Sequence, residues 1–179
     1  MQHPKQWICG ATVDGPDSDI RHITLERVAI AMAFTNRFNG GFGPADLASH
    51  SCRVADRLPP HLRAAGLVHD IGEIVTSDIP SPLKPFAGEL PDIEDAWRLR
   101  LCQHFFGHAR GLQVHNLCGD HRVHEADHAD YLEMLPDQQG ELAHLEKCLR
   151  YGWPPWLEPP LYTANAWLSA MKKEIECLT

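Results

Sequence analysis

Two adjacent prolines, Pro59 and Pro60, interrupt a stretch that is patterned for helix on both sides. Proline has no amide hydrogen to donate and restricts the residue before it, so one helix cannot run through the pair. Upstream, Leu47, His50, Ser51, Val54 and Leu58 recur at helical spacing, and Pro44 suits the first helical position. Downstream, LRAAGLVH (62–69) begins a second helix at once. So short a connection favours an antiparallel pair. Positions 50 and 69 are then equidistant from the break, each about 12–14 Å from the turn at a rise of about 1.5 Å per residue. His50 and His69 are therefore expected at the same level of a helical hairpin. A lone histidine on an apolar face is more often a core residue bonded to a carbonyl; two at one level make a shared site the sharper reading.

The second histidine opens a run of dense donor chemistry. Residues 64–84 read AAGLVHDIGEIVTSDIPSPLK: a helix end, the pair His69-Asp70, Glu73 and Asp78 in a short acidic turn, and a Pro-rich segment closing on Lys84. An imidazole beside a carboxylate, with further carboxylates close behind, is a metal-type donor set.

Ahead of the hairpin, residues 1–22 read as irregular, with a short strand over Trp7–Val13. Thr24 suits a helix N-cap, with Glu26 in the first turn. Leu25, Val28, Ala29, Met32, Ala33 and Asn36 form one stripe, and Ile30 and Phe34 are apolar on another face. A helix buried on two sides is expected, ending in Arg37-Phe38-Asn39, where Gly40 and Gly41 stop it. An arginine and an aromatic ring beside glycines suit a ligand-facing corner; the plainer alternative is a capped helix with a surface arginine.

Beyond Lys84, Pro85–Gly88 reads as loop and Pro91–Phe106 as helix, with Ile93, Trp97, Leu101 and Phe105 repeating every fourth residue. His104 and His108 are spaced to chelate, although Gly107 lies between them. In the region Asp120–Leu135, Val123, Ala126, Asp127, Asp130 and Met134 share one face. Carboxylates on an otherwise apolar face need partners or a cation, because burying an unpaired charge is costly. The opposite face, His121, Glu125 and His128, reads as solvated, its alternative being a second metal site. A short helix over Glu141–Arg150, a stiff WPPWLEPP connector (153–160) and a last helix over Tyr162–Leu178 complete the chain.

The expectation is an all-α protein of one domain, residues 1–179, with a site-bearing core of about 23–135 and a C-terminal helical extension over 136–179. Sixteen Lys and Arg against 24 Asp and Glu give a net charge of −8, which disfavours a nucleic-acid duplex as partner. No apolar run reaches the roughly 18–20 residues of a membrane span, and the N-terminal residues lack a signal-peptide core. The six cysteines contain no C-x-x-C pair, so reduced thiols and a cytoplasmic location are expected.

Taken in order, His50, His69-Asp70 and Asp127 form an H…HD…D pattern. With the AGLVHDIGEIVTSDIPSPLK stretch, ITLERVAIAMAFTNRFNGG (23–41) and VHEAD (123–127), the chain resembles the HD-domain metal-dependent phosphohydrolases over roughly residues 7–135. Within them it is most similar to the branch of bacterial 5′-deoxynucleotidases and short phage dATP triphosphohydrolases. The resemblance implies an HD-domain helical bundle in which His50, His69, Asp70 and Asp127 hold one divalent cation. Mn²⁺, Co²⁺, Zn²⁺, Fe²⁺ and Mg²⁺ all remain open. It implies Glu73 as the carboxylate that orients or deprotonates the attacking water, and Asp78 as the catalytic-site residue that reads the sugar hydroxyl. Arg37 and Lys84 would hold phosphate, and Phe38 would pack on the base or sugar. A small nucleotide is the implied substrate, and a homo-oligomer, dimer or higher, the implied assembly. One departure stands out: His124 occupies the place where the family commonly has lysine, which favours a deoxynucleoside 5′-monophosphate over a dNTP hydrolysed to triphosphate. A non-catalytic HD nucleotide-binding module is the further alternative. Asp130, one turn after Asp127, competes with it as the last ligand.

Overall fold

The computed structural model describes residues 6–8, 10–37, 45–133 and 160–178. Phe38, Pro44, the helix expected over 141–150 and all but the last residue of the 153–160 connector lie outside them. The described residues are all-α apart from one small antiparallel ribbon. That ribbon replaces the single strand expected over Trp7–Val13. β1 (Gln6–Ile8) and β2 (Ala11–Val13) pair with Trp7 opposite Thr12 and Ile8 opposite Ala11. Gly10 sits at the turn with φ 77°.

The first helix, α1 (Leu25–Phe34), begins where expected: the Thr24 side chain accepts the Arg27 amide. It ends before the glycines. Thr35 turns its hydroxyl back onto the Ala31 carbonyl and takes extended backbone angles, satisfying the helix end locally. Asn36 then forms a β-bridge with Asp46, the Arg37 amide donates to the Ala45 carbonyl at 2.7 Å, and Leu47 donates back to Thr35 at 3.0 Å. Arg37 therefore belongs to an extended clasp against the start of α2, not to a helix end. Burial is also one-sided: Val28, Ala29, Met32 and Ala33 are interior, whereas Phe34 is 63% exposed.

The second helix, α2 (Leu47–Asp56), is capped by Asp46, whose carboxylate accepts the Ser49 amide at 2.8 Å. The expected start at Pro44 gives way to this stronger cap. A 3₁₀ turn over Pro60–Leu62 reverses the chain into α3 (Arg63–Val68). The two helices approach closely because Gly66 faces Ala55: a methyl at position 66 would lie 2.9 Å from the Ala55 Cα. The short α4 (Glu73–Thr76) follows, then a 3₁₀ stretch over Ser81–Phe86 that takes in the end of the Pro-rich segment and the first two residues of the loop expected over Pro85–Gly88.

α5 (Leu90–Phe106) buries Glu94, Trp97, Leu101, Cys102 and Phe106. Gly107, at φ 80°, folds the chain back into α6 (His108–Leu117), which packs along α5. The next helix, α7, covers 121–133, and α8 (Pro160–Leu178) crosses α1, α2 and α3. The core is continuous from the ribbon through all these helices. Trp167 is fully buried in it and donates its indole N–H to the Leu67 carbonyl at 2.9 Å. No helix among the described residues is long and apolar enough to cross a membrane.

Candidate metal centre

The hairpin places His50 and His69 at one level, with their Nε2 atoms 3.1 Å apart. Asp70 Oδ2 lies 3.1 Å from His69 Nε2 and 3.4 Å from His50 Nε2. Asp127 Oδ1, from α7, lies 3.2 Å from His50 Nε2. Both histidines are buried, and Asp127 is half-buried at the mouth.

The other nitrogen of each ring decides what these atoms offer. His69 Nδ1 lies 2.8 Å from the Gly66 carbonyl, which can only accept, so Nδ1 carries the proton and Nε2 presents a lone pair. His50 Nδ1 lies 2.8 Å from Asp130 Oδ2 and donates to that carboxylate. With both rings neutral, two imidazole lone pairs face Asp70 Oδ2 and Asp127 Oδ1, the same oxygens that accept from Arg37. Donor atoms at right angles around one ion at about 2.1 Å stand about 3.0 Å from one another, close to the 3.1–3.4 Å separations here. His50, His69 and Asp127 could hold a metal ion, and Asp70 Oδ2 stands beside both histidine nitrogens. In the described residues no other cluster of such side chains reaches this density.

The electrostatics show the demand for positive charge. Burial disfavours a protonated His50, yet its bonds to Asp127, Asp130 and Asp70 prevail and lift its pKa to about 9. Burial likewise opposes ionisation of Asp70, but His69 and His50 hold its carboxyl well below the usual range. Asp127 is also lowered, its bond to His50 outweighing desolvation. Arg37 reaches in from its clasp: Nη1 lies 3.2 Å from Asp70 Oδ2 and Nη2 3.3 Å from Asp127 Oδ1.

Beside this point stands a second acidic group. Glu73 is buried, and Oε2 has no hydrogen-bond partner among the described residues. Its pKa is pushed well up, first by burial and then by Asp70, Asp78 and Glu94. The Lys84 ammonium lies 3.8 Å from Glu73 Oε1 and 3.5 Å from Glu94 Oε2, so it sits between carboxylates rather than pointing into open space. Asp78 is buried and lies within electrostatic reach of both Arg37 and Glu73. Ser77 before it holds φ 64° and ψ 158°, a region that residues with a side chain rarely occupy. A cavity of ≈ 190 Å³, lined by Phe34, Thr35, Asn36 and Ser77, adjoins Arg37 and Asp78 along the chain.

Other candidates fall away from this centre. His104 Nε2 bonds the Ile23 carbonyl at 2.8 Å, tying α5 to the chain before α1, and Gly107 ends α5 before His108. His121, Glu125 and His128 are exposed, and so is His124. Three contributors were not singled out from the sequence. Glu94 shares the buried α5 stripe with Trp97 and Leu101, and a carboxylate on that stripe is the signal that could have found it. Arg98 donates to the His69 carbonyl at 2.9 Å, and nothing in its spacing marks it; Arg53 grips Asp130 and lies one turn after His50, the signal that could have found it.

No family model matches the chain, and no curated protein matches it.

Proposed function

We propose that this protein is a metal-dependent phosphohydrolase that removes the 5′-phosphate of a deoxynucleoside monophosphate. The observation that carries the reading is the convergence of His50 Nε2, His69 Nε2, Asp70 Oδ2 and Asp127 Oδ1 beside a buried Glu73 and a buried Arg37. His50, His69 and Asp127 suit a cation, with Asp70 beside them, and the H…HD…D resemblance supplies the reaction.

Each side chain then has a task. His50, His69, Asp70 and Asp127 would hold the divalent ion, which when bound would polarise the phosphate and acidify a water. Arg37 reaches the same locus with a planar fork of donors suited to phosphate oxygens. Glu73, whose surroundings raise its proton affinity, would take the proton from the attacking water as its oxygen bonds to phosphorus and the P–O5′ bond breaks. Lys84 would temper Glu73, keeping it from binding its proton too tightly. Asp78, buried within electrostatic reach of Arg37 and Glu73, would stand near the sugar.

The charge inventory favours a monophosphate. Among the described residues the cations around the centre are already engaged: Arg37 by Asp70 and Asp127, Lys84 by Glu73 and Glu94, Arg53 and Arg57 by Asp130. A triphosphate would bring about two more negative charges without further cations to meet them. The same buried Glu73 argues against a non-catalytic nucleotide-binding module, which has little use for a raised carboxylate beside its metal.

The test is a panel of dNMPs and dNTPs offered to the metal-loaded protein, reading orthophosphate against triphosphate, with Asp70→Ala and Glu73→Ala alongside. Orthophosphate from dNMPs, lost in both variants, is expected. Triphosphate release would move the reading to the dNTP branch. No turnover with Mn²⁺, Co²⁺, Zn²⁺, Fe²⁺ or Mg²⁺ would overturn it.

A further inference from the structure

We propose that Asp130 is a positioning residue that aims His50 at the metal. The inference rests on the metal-centre reading above and deepens it by assigning a role to the carboxylate next in line after Asp127.

Asp127 and Asp130 lie one turn apart on α7 and meet opposite edges of one ring. Asp127 Oδ1 lies 3.2 Å from His50 Nε2, on the side where the donors converge, whereas Asp130 Oδ2 accepts from His50 Nδ1 at 2.8 Å behind it. A single helix thus flanks the imidazole at both nitrogens, and a ring turned over would lose the Nδ1–H bond to Asp130. Asp130 is only 1% exposed, and its Oδ2 meets Nδ1, the edge of the ring opposite the Nε2 that faces His69.

Asp130 is itself held. Arg53 donates through Nε to Oδ1 at 2.8 Å and through Nη2 to Oδ2 at 3.1 Å. Arg57 Nη1 lies 3.3 Å from Oδ1 and pairs also with Glu133. His50, Arg53 and Arg57 fall at i, i+3 and i+7 on α2 and its C-cap, so one face of α2 presents both the ligand and the cations that fix its partner. A carboxylate that accepts Nδ1–H enforces the tautomer with its lone pair on Nε2 and strengthens that nitrogen as a donor. Removing such a partner typically lowers metal affinity about 10–100-fold.

The test is Co²⁺ binding to the full chain, followed by titration calorimetry and by the visible spectrum of the bound ion. Asp130→Asn and Asp130→Ala are compared with wild type, with His50→Ala and with the double variant Asp130→Ala/His50→Ala. Both single Asp130 variants should bind Co²⁺ about 10–100-fold more weakly with a shifted spectrum. In the His50→Ala background the Asp130 change should add little, because it acts through that ring. A purely structural Asp130 would lower the melting temperature while leaving the spectrum and affinity of the folded fraction unchanged, and that result overturns the proposal. If Asp130→Ala fails to fold, the isosteric Asp130→Asn decides. A wild-type protein that binds no Co²⁺ overturns the metal-centre reading itself, an outcome distinct from wild type and variants binding alike.

Discussion

Gly66→Ala tests the geometric root of the centre, the close approach of α2 and α3. A methyl at position 66 would meet Leu58 Cδ1 at 2.6 Å, Ala55 Cα at 2.9 Å and Ala55 N at 3.1 Å. The leucine tip can swing aside, but the Ala55 backbone cannot. Restoring an ordinary contact of about 3.4 Å requires α3 to retreat from α2 by about 0.5 Å. His69 rides on α3, so its Nε2 would stand about 3.6 Å from His50 Nε2 instead of 3.1 Å. Metal sites hold their distances to within about 0.2 Å, so the retreat exceeds that tolerance. Two stability terms oppose one another: alanine gains about 1 kcal/mol of helix propensity over glycine, and overpacking costs about 1–3 kcal/mol. Overpacking prevails, and a net loss of about 1 kcal/mol lowers Tm by roughly 2–4 °C in a chain of this size. The sharper readout is Co²⁺ affinity, expected to fall at least about 10-fold. Gly111→Ala is the control, since its methyl would meet backbone atoms of Gln103 and Cys102 at 2.4–2.5 Å in the α5–α6 contact. It should lower Tm at least as much while leaving affinity near wild type. Undiminished Co²⁺ binding and an unchanged melt in Gly66→Ala would refute the reasoning.

Three further outcomes follow from the same contacts. In metal-free protein, His50 has a folded pKa of about 9 against an ordinary 6.5. The raised value stabilises the fold fully below about pH 6.5 and is lost as pH rises through about 9, on the order of 3 kcal/mol in all; melts at pH 6 and pH 9.5 should show the fall, and His50→Gln should remove that part of it. Lys84→Met takes away the charge that lowers Glu73 and Glu94, so the acidic limb of the pH–rate profile should move to higher pH; an unmoved limb would mean that Lys84 does not tune Glu73. Trp167→Ala deletes a fully buried ring and its bond to the Leu67 carbonyl. It should cost about 3–5 kcal/mol and lower Tm by roughly 10 °C, measured by circular dichroism, and a loss under 1 kcal/mol would contradict the docking of α8.

The parts of the site that were legible in the sequence are those where geometry leaves little choice. Pro59 and Pro60 fix where the hairpin turns, and helix rise then brings His50 and His69 level without knowledge of any other contact. Thr24 and its acidic first turn likewise mark the start of α1. Spacing carries α1 on to the glycines, a louder stop signal than Thr35; the helix ends at Phe34 because the Thr35 hydroxyl satisfies the Ala31 carbonyl and frees Arg37 for an extended clasp. Asp127 and Asp130 could not be told apart by spacing, since both lie on the buried face of α7. Which one meets Nε2 depends on the rotation of the His50 ring, and that is set by contacts between α2 and α7, where Arg53 and Arg57 hold Asp130 on Nδ1. Glu94 escaped notice for a related reason: its meaning comes from Gly72, where a methyl would lie 2.2 Å from the Glu94 carbonyl oxygen, bringing α5 against the acidic turn.

The most direct test of the central claim is a crystal grown with Mn²⁺ or Co²⁺ and measured at the absorption edge of the ion. The account predicts one anomalous peak about 2.0–2.3 Å from His50 Nε2, His69 Nε2, Asp70 Oδ2 and Asp127 Oδ1, with Asp130 behind His50 and outside coordination distance. A peak on Asp130, a peak on the exposed His121–His128 face, or no density between the two buried histidines would contradict it.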